Sequence, residues 1–183
     1  NIKRSIARGT GEIEGADYEE ITYEGYGPGG AAIILECYSE NRNRTVAEVR
    51  HAFSKAGGNM AENGSVAWQF KHVGQIVVDG DSIGEDDFTL QALDAGAEDV
   101  VSEDGSYIAY TAIEDLHRVN EALEKDGVKT QEVGLTYVAT NKTELAPDDV
   151  PKLLRLLDTL DELDDVQETY VNVDITEDML QED

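Results

Sequence analysis

The feature that most constrains the fold is the order of strand-like and helix-like segments between residues 75 and 140. Four runs rich in β-branched and aromatic residues alternate with two amphipathic runs in the order β-α-β-β-α-β. Asp104 and Gly105 join the two middle strands, and this dipeptide is typical of tight hairpins. This order predicts a ferredoxin-like domain, in which two helices cover one face of a four-stranded antiparallel sheet.

The segments on either side of this domain are incomplete when they are taken separately. Residues 16–74 have the pattern β-β-α-β, which is one helix short of burying its sheet, and residues 141–175 supply an α-β pair. We therefore predict an α+β protein of two mixed domains, in which residues 75–140 are inserted into a discontinuous domain formed by the other two segments. Residues 1–15 are expected to be a helical remnant and linker, and residues 176–183 a tail.

Local patterns give more detailed expectations within the discontinuous domain. Thr45 and Glu48 have the spacing of a capping box, so a helix is predicted to begin there. Residues 65–71 alternate as a strand, and residues 168–175 are predicted to form the last strand. The side chains expected to share one face of the 65–71 strand are Val66, Trp68 and Phe70. Cys37 lies within an apolar strand and is expected to be a small buried residue.

The charge of the chain limits which partners it can bind. The sequence has 14 basic and 40 acidic residues, a net charge of −26. Residues 1–75 carry 8 basic and 10 acidic residues, residues 76–143 carry 4 and 16, and residues 144–183 carry 2 and 14. Because nucleic acid is a polyanion, only the first third is predicted to contact a phosphate backbone. The remaining acid fits solubility or a salty cytoplasm.

Enzyme, metal and membrane signals are weak in this sequence. The single cysteine excludes a disulfide framework and a thiolate metal cage, and the three histidines lack metal-ligand spacing. Gly25, Gly27 and Gly30 fit a nucleotide-binding spacing, but a strand follows them where a helix is needed. No apolar stretch approaches the roughly 20 residues that span a bilayer. We predict no catalysis, no cofactor, no metal and no membrane partner, in a reducing cytoplasm.

Basic residues concentrate at two places against this acidic background. The first is the predicted helix after residue 41, and the second is the N-terminal segment. Together they are predicted to bind nucleic acid, with pairing to nearby acids as the equally weighted alternative. The candidate residues are Lys3, Arg4, Arg8, Arg42, Arg44, Arg50 and Lys55.

A glycine-rich loop follows the first predicted strand and is a second candidate site. Four glycines and a proline in residues 25–30 exceed what a tight hairpin needs. Glycine permits close approach to a partner, and an aromatic ring beside it can stack on a base. The alternative is a plain turn whose ring packs on its own domain. The candidate residues are Tyr26, Gly27, Pro28, Gly29 and Gly30.

Several motifs, taken together and in order, resemble those of the YebC/PmpR family. They are IARGTG at 6–11, YEGYGPGG at 23–30, NRNRT at 41–45, GG at 57–58, GSVAWQF at 64–70 and LDELDDVQ at 160–167. The match extends along essentially the whole chain.

This resemblance implies a three-domain protein in which a helical N-terminal domain precedes two α+β domains, the third inserted into the second. The chain does not begin with Met, and it resembles the second and third domains. Members of the family are DNA-binding transcriptional regulators or translation factors that act on the ribosome and relieve stalling. The resemblance thus implies DNA, ribosomal RNA or the ribosome as partner, mainly through the N-terminal domain, in the cytoplasm or the mitochondrial matrix. The alternatives are a ferredoxin-like small-ligand sensor and a protein-interaction module.

Overall fold

A computed structural model describes residues 17–176 and residue 179. The chain divides into two compact units. One contains the described residues up to Phe70 and from Ala139 onward, and the other contains Lys71–Val138. The elements, in chain order, are β1 (Glu19–Tyr26), β2 (Ala32–Ser39), α1 (Arg42–Lys55), β3 (Asn59–Ala61), β4 (Phe70–Asp79), α2 (Glu85–Ala95), β5 (Asp99–Glu103), β6 (Ser106–Thr111), α3 (Leu116–Lys125), β7 (Thr130–Ala139), α4 (Val150–Glu162) and β8 (Val166–Val171).

The first unit is a four-stranded sheet with two helices packed against it. The strand order is β3-β1-β2-β8, and each neighbouring pair is antiparallel. Alternate residues of β1 and β2 point into the core, where they meet the apolar faces of α1 and α4. The largest fully buried side chains of this core are Ile33, Leu35, Val49, Phe53, Leu153, Leu156 and Leu160. The helix α4, which begins at Val150 whereas the first half of the unit ends at Phe70, therefore completes its core, as the sequence pattern predicts.

The second unit has the strand order β5-β6-β4-β7. With its strands counted from β4, this is the order of a ferredoxin-like sheet, with β4 and β5 each antiparallel to β6. The core lies between this sheet and the helices α2 and α3, around Phe88, Val119 and Leu123. The predicted α+β class, with a ferredoxin-like unit and a second mixed unit, is confirmed.

The strand predicted for residues 65–71 is wrong. Residues Ala67–Gln69 form a 3-10 turn, and β4 begins at Phe70. The cause is the buried carboxylate of Glu24, which accepts hydrogen bonds from the backbone N–H groups of Gly64, Val66 and Ala67 at 2.6, 2.9 and 2.7 Å. These N–H groups therefore cannot join a strand ladder.

Three further boundaries differ from the prediction. The helix α1 begins at Arg42, before the predicted capping box, because the side chain of Asn41 accepts a hydrogen bond from the N–H of Arg44 at 3.0 Å. The last strand is Val166–Val171, so it begins and ends earlier than predicted. The short strand β3, which was not predicted, pairs with β1 at the edge of the sheet. The predicted segments at 1–15 and 176–183 lie almost wholly outside the described residues.

The first unit closes on itself where the ferredoxin-like unit leaves and rejoins it. Gln69 and Asn141 are 72 positions apart, and the Asn141 side-chain amide donates to Oε1 of Gln69 at 3.0 Å. The buried Asn172 amide donates to the same oxygen at 3.0 Å and to the Asn141 carbonyl at 2.9 Å. Its Oδ1 accepts from the N–H of Ala32 at 2.7 Å, which ties the network to β2.

Cys37 is buried on β2, as predicted. Burial, reinforced by the nearby charges of Asp165 and Glu36, raises the pKa of its thiol to about 12. The thiol is therefore protonated at neutral pH and behaves as an apolar core atom. No helix in the described part of the chain is both long and apolar enough to cross a membrane.

Candidate nucleic-acid interface

The predicted basic cluster around α1 is divided by its hydrogen-bond partners. At the N-terminal end, Arg42 and Glu19 form a two-point ion pair, with Nε–Oε1 and Nη2–Oε2 distances of 3.0 and 3.1 Å. Both side chains are exposed. The hydrogen bond from Arg42 lowers the pKa of Glu19 from its ordinary value. This guanidinium is thus directed at a carboxylate of its own unit.

Arg44 belongs to a second and more buried pair. Its Nη2 lies 3.0 and 3.2 Å from the two oxygens of Asp165, whose residue is only 4% exposed. The Thr45 hydroxyl donates to the same carboxylate at 2.7 Å. The hydrogen bond to Asp165 raises the pKa of Arg44. This contact joins the NRNRT motif to the LDELDDVQ motif. One ion pair inside the unit therefore gives a structural role to a charged residue of each motif.

Arg50 and Lys55 have a different environment from these two arginines. Both are exposed, and no carboxylate oxygen of the described residues lies within 4.0 Å of either charged group. They are five positions apart, so a helix of 3.6 residues per turn directs their side chains about 140° apart. The structure therefore does not gather the four α1 cations into one patch.

Lys55 instead lines a groove between the C-terminal end of α1 and the face of α4. The groove has a volume of about 480 Å³. Lys152 and Arg155, which are both exposed, stand on the opposite wall with Thr159. We call this feature the basic groove. Its lining residues are Ala52, Lys55, Ala56, Gly57, Lys152, Arg155, Leu156 and Thr159.

The local charge of the basic groove is unusual for this chain. Residues 144–183 contain 2 basic and 14 acidic residues, and the two basic ones are Lys152 and Arg155. Lys152 has only a long contact with Asp149, at 4.0 Å. Sequence reasoning missed both residues. The sequence does contain a signal for a basic surface here, because these two cations are three positions apart and share one side of a helix. The net acidic charge of residues 144–183 argued against a phosphate contact in this segment and so hid that signal.

The structure places the glycine-rich loop against its own unit. Gly27 and Pro28 are buried, while Gly29 and Gly30 are exposed and have φ angles of 74° and 85°. The Gly27 N–H donates to the Ala31 carbonyl at 2.8 Å, which closes the turn. A Cβ at Gly29 would lie 2.6 Å from a methyl group of Leu145. Packing and backbone conformation thus account for the glycines at 27 and 29.

Tyr26 and Trp68 converge on one backbone oxygen beside this loop. The Tyr26 hydroxyl and the Trp68 indole N–H donate to the Ser65 carbonyl at 3.2 and 3.0 Å. Trp68 is 66% exposed, although its pattern predicted a shared face with Val66 and Phe70, which are both buried. The predicted shared face does not form, because Ala67–Gln69 adopt a 3-10 turn in place of the predicted strand.

Three of the predicted cations belong to the N-terminal segment. Lys3, Arg4 and Arg8 lie outside the described residues.

In the ferredoxin-like unit, a smaller pocket of about 260 Å³ is lined by residues that include Gln91, Gly127 and Lys129. The Gln91 Oε1 is buried and has no hydrogen-bond partner among the described residues.

These features define an α+β protein of two units whose candidate site is a basic groove on an otherwise acidic chain. The sequence model described as "TACO1/YebC second and third domain" matches residues 18–173. The chain belongs to this family, so the predicted resemblance is confirmed.

Individual relatives agree with this assignment. A "probable transcriptional regulatory protein" of Acidithiobacillus ferrooxidans is 55% identical over 176 residues, covering 96% of this chain and 70% of the relative. The "probable transcriptional regulatory protein YebC" of Salmonella typhimurium is 49% identical over 180 residues, covering 97% and 72%. The crystal structure of a conserved hypothetical protein from Aquifex aeolicus superposes with a TM-score of 0.85 at 40% identity, covering 99% of this chain and 75% of that one. The relatives' names describe regulation and not a reaction.

Proposed function

We propose that this protein regulates gene expression by binding nucleic acid, and that the basic groove supplies phosphate contacts. The observation that carries the proposal is the position of Lys55, Lys152 and Arg155 on facing walls of one groove. A chain with a net charge of −26 repels nucleic acid at long range, so phosphate contacts require a local excess of cations.

The two walls of the groove differ in their electrostatics. Lys152 lies in the first turn of α4, where the partial positive charge of the helix dipole favours an anion, and Arg155 lies in the next turn. Lys55 lies in the last turn of α1, where its charge offsets the opposite end of that helix dipole. A phosphate in the groove would therefore bind mainly to the α4 wall, with Lys55 completing the contact.

The names of the relatives support a regulatory role, and two versions of it are proposed. The first is a transcriptional regulator that binds DNA, of which the relatives' names give only the part "probable transcriptional regulatory protein". The second is a translation factor associated with ribosomal RNA. In both versions the protein acts in the cytoplasm by binding, without catalysing a reaction. Phosphate contacts are common to both, because they fix position and carry little sequence information.

The test is the salt dependence of binding by the 183-residue chain to labelled duplex and single-stranded oligonucleotides. Log K falls linearly as log salt rises, and the magnitude of this negative slope, the salt slope, decreases by about 0.9 for duplex or 0.7 for single strands with each lost phosphate contact. The double variant Lys152→Ala/Arg155→Ala should therefore lower the slope by about 1.4 to 1.8.

A matched control removes the same number of charges elsewhere. Lys142 and Arg118 are exposed and paired with Asp174 and Asp115, and neither lines the groove. Lys142→Ala/Arg118→Ala should leave the slope nearly unchanged. Equal slopes for the two double variants would contradict the groove as the contact site.

The ferredoxin-like unit offers a second candidate function, the binding of a small ligand. The unpartnered Gln91 oxygen beside the 260 Å³ pocket favours it, since a ligand N–H could satisfy that acceptor. The pocket is smaller than the roughly 300–1,000 Å³ of typical ligand sites. Such binding need not weaken with salt and would require no residue of the basic groove, so titrations of the groove variants separate the two functions.

A further inference from the structure

Trp68 is the most exposed large apolar side chain of the described residues, at 66%. Tryptophan is one of the most buried residue types on average, because its ring removes a large apolar area from water when it packs. This indole is held at the surface by the same unit that buries the neighbouring Val66 completely. Its exposure is therefore a property that the fold enforces.

The loop that carries the indole, residues 62–69, is fixed at both ends and in its middle. The buried Glu24 carboxylate holds three of its backbone N–H groups. At the far end, the side chain of Gln69 is bonded to Asn141 and Asn172. The ring itself is oriented by its hydrogen bond to the Ser65 carbonyl. A ring held in this way loses little conformational entropy when a partner covers it.

The polar edge of the ring is already occupied. Because the indole N–H donates to Ser65, the group offered to a partner is the flat aromatic face and not a hydrogen-bond donor. The Tyr26 hydroxyl is bonded to the same carbonyl. Two aromatic side chains whose polar groups are already hydrogen-bonded thus lie next to each other at this loop. A flat face without a free donor favours stacking, which tolerates any base sequence.

We propose that Trp68 stacks on an unpaired nucleobase, with Tyr26 adjoining it, so that the nucleic acid bound by this protein is single-stranded or looped at this point. This deepens the proposed function and rests on it. A duplex keeps its bases stacked inside the helix, so only an unpaired base can cover an exposed indole. The nucleobase itself is uncharged, so the stacking contact, unlike a phosphate contact, requires no cation beside Trp68.

Trp68 is the only tryptophan of the chain, so its intrinsic fluorescence reports on this site alone. The 183-residue chain is titrated at low salt with a short mixed-sequence single strand and with the corresponding duplex. The single strand should quench the fluorescence in a saturable way, and the duplex should bind without quenching. Binding of single strand that leaves the fluorescence unchanged overturns the inference.

Variants then test whether the aromatic face is responsible. Trp68→Ala and Trp68→Leu should each weaken single-strand binding roughly 5- to 150-fold, the range for loss of one stacked base, without changing the salt slope. Trp68→Phe should lose less. Leu90→Ala is the matched control, because Leu90 is 63% exposed in the other unit. If Trp68→Leu keeps the full affinity for the single strand, the contact is apolar packing and stacking is wrong.

Failure of this inference and failure of the proposed function give different results. If no oligonucleotide binds in a salt-dependent way, the proposed function fails and takes the inference with it. If binding is salt-dependent and weakened by Lys152→Ala/Arg155→Ala, but unaffected by Trp68→Ala, the groove proposal stands and the stacking inference alone is overturned. Thermal unfolding of each variant verifies that the fold is intact.

Discussion

The basic residues at the two ends of α1 differ in what they contact. At the N-terminal end, Arg42 and Arg44 are each bonded to a carboxylate of the same unit, and one of these carboxylates is buried. At the C-terminal end, Lys55 has no carboxylate within 4.0 Å among the described residues and faces two further cations across a groove. One helix therefore contributes charge to the fold at its start and to a surface at its end.

The comparison shows why a count of basic residues does not locate a binding site. Arg44 and Lys55 have the same formal charge, yet the field of Arg44 is largely cancelled by Asp165 at 3.0 Å. What distinguishes them is the chemistry of the chain that packs against each end of the helix. A phosphate approaching the C-terminal end meets cations from two helices.

The largest expected effect is on the free energy of unfolding, and it comes from removing Asp165, which is bonded to Arg44 near the N-terminal end of α1. Asp165→Ala removes a buried acceptor that Arg44 and Thr45 use, and hydrogen bonds to charged groups each contribute roughly 1.5–3 kcal/mol to the free energy of unfolding. Chemical denaturation measures the change. The control is Asp161→Ala, an exposed acid in the last turn of α4, whose loss should cost nothing because an acid there opposes the helix dipole. Equal destabilisation by both variants would contradict a specific contribution of Asp165 through its bonds to Arg44 and Thr45.

A smaller effect is expected from Lys55→Ala, and it should appear in binding. The salt slope should fall by about 0.9 for duplex or 0.7 for single strands, with little change in the unfolding free energy. Arg50→Ala is the matched control for Lys55→Ala, because it removes one positive charge from the same helix at a position outside the groove. Should Arg50→Ala lower the slope as much as Lys55→Ala, the contact surface would be the whole helix and not the groove.

The smallest effect is expected from Arg42→Ala, because exposed ion pairs contribute little. It should nevertheless depend on pH. Since Arg42 lowers the folded-state pKa of Glu19, the pair stabilises the fold above the ordinary Glu19 pKa of 4.5, and this stabilisation is lost as the pH falls through the folded-state value. The small difference in stability between the two proteins should therefore be present at neutral pH and vanish in acid. A difference that persists in acid would assign the effect to packing of the Arg42 side chain.

The fold could be predicted from the sequence because its elements are defined by local patterns. The order of segments between residues 75 and 140 specifies the ferredoxin-like unit, and the apolar face of α4 indicates a second core. The strand prediction for residues 65–71 was wrong because their alternation is typical of a strand, whereas backbone N–H groups of this region donate to the carboxylate of Glu24, some 40 positions earlier. A short strand such as β3, with three residues and no β-branched side chain, gives no periodic signal.

The candidate site was predicted less well, for a related reason. The cations of α1 are evident in the sequence, but their partners are not. Asp165 is 121 positions from Arg44, and the α4 wall of the groove is nearly 100 positions from Lys55. Pairing over such distances depends on how the two segments of the first unit come together. The sequence could show that these residues exist, and only packing could show which ones meet.

The network of Gln69, Asn141 and Asn172 has a consequence for how the chain folds. Because these side chains hold together two points 72 positions apart, the first unit cannot complete its sheet and core until that long loop is closed. Loop closure becomes costlier only slowly with length, by about 0.6 kcal/mol for each doubling, but the search slows folding when contacts are distant. If the ferredoxin-like unit folds first, it brings its own termini together and shortens the effective loop. The inserted unit would then act as an internal folding scaffold for the halves that surround it, in addition to any partner it binds.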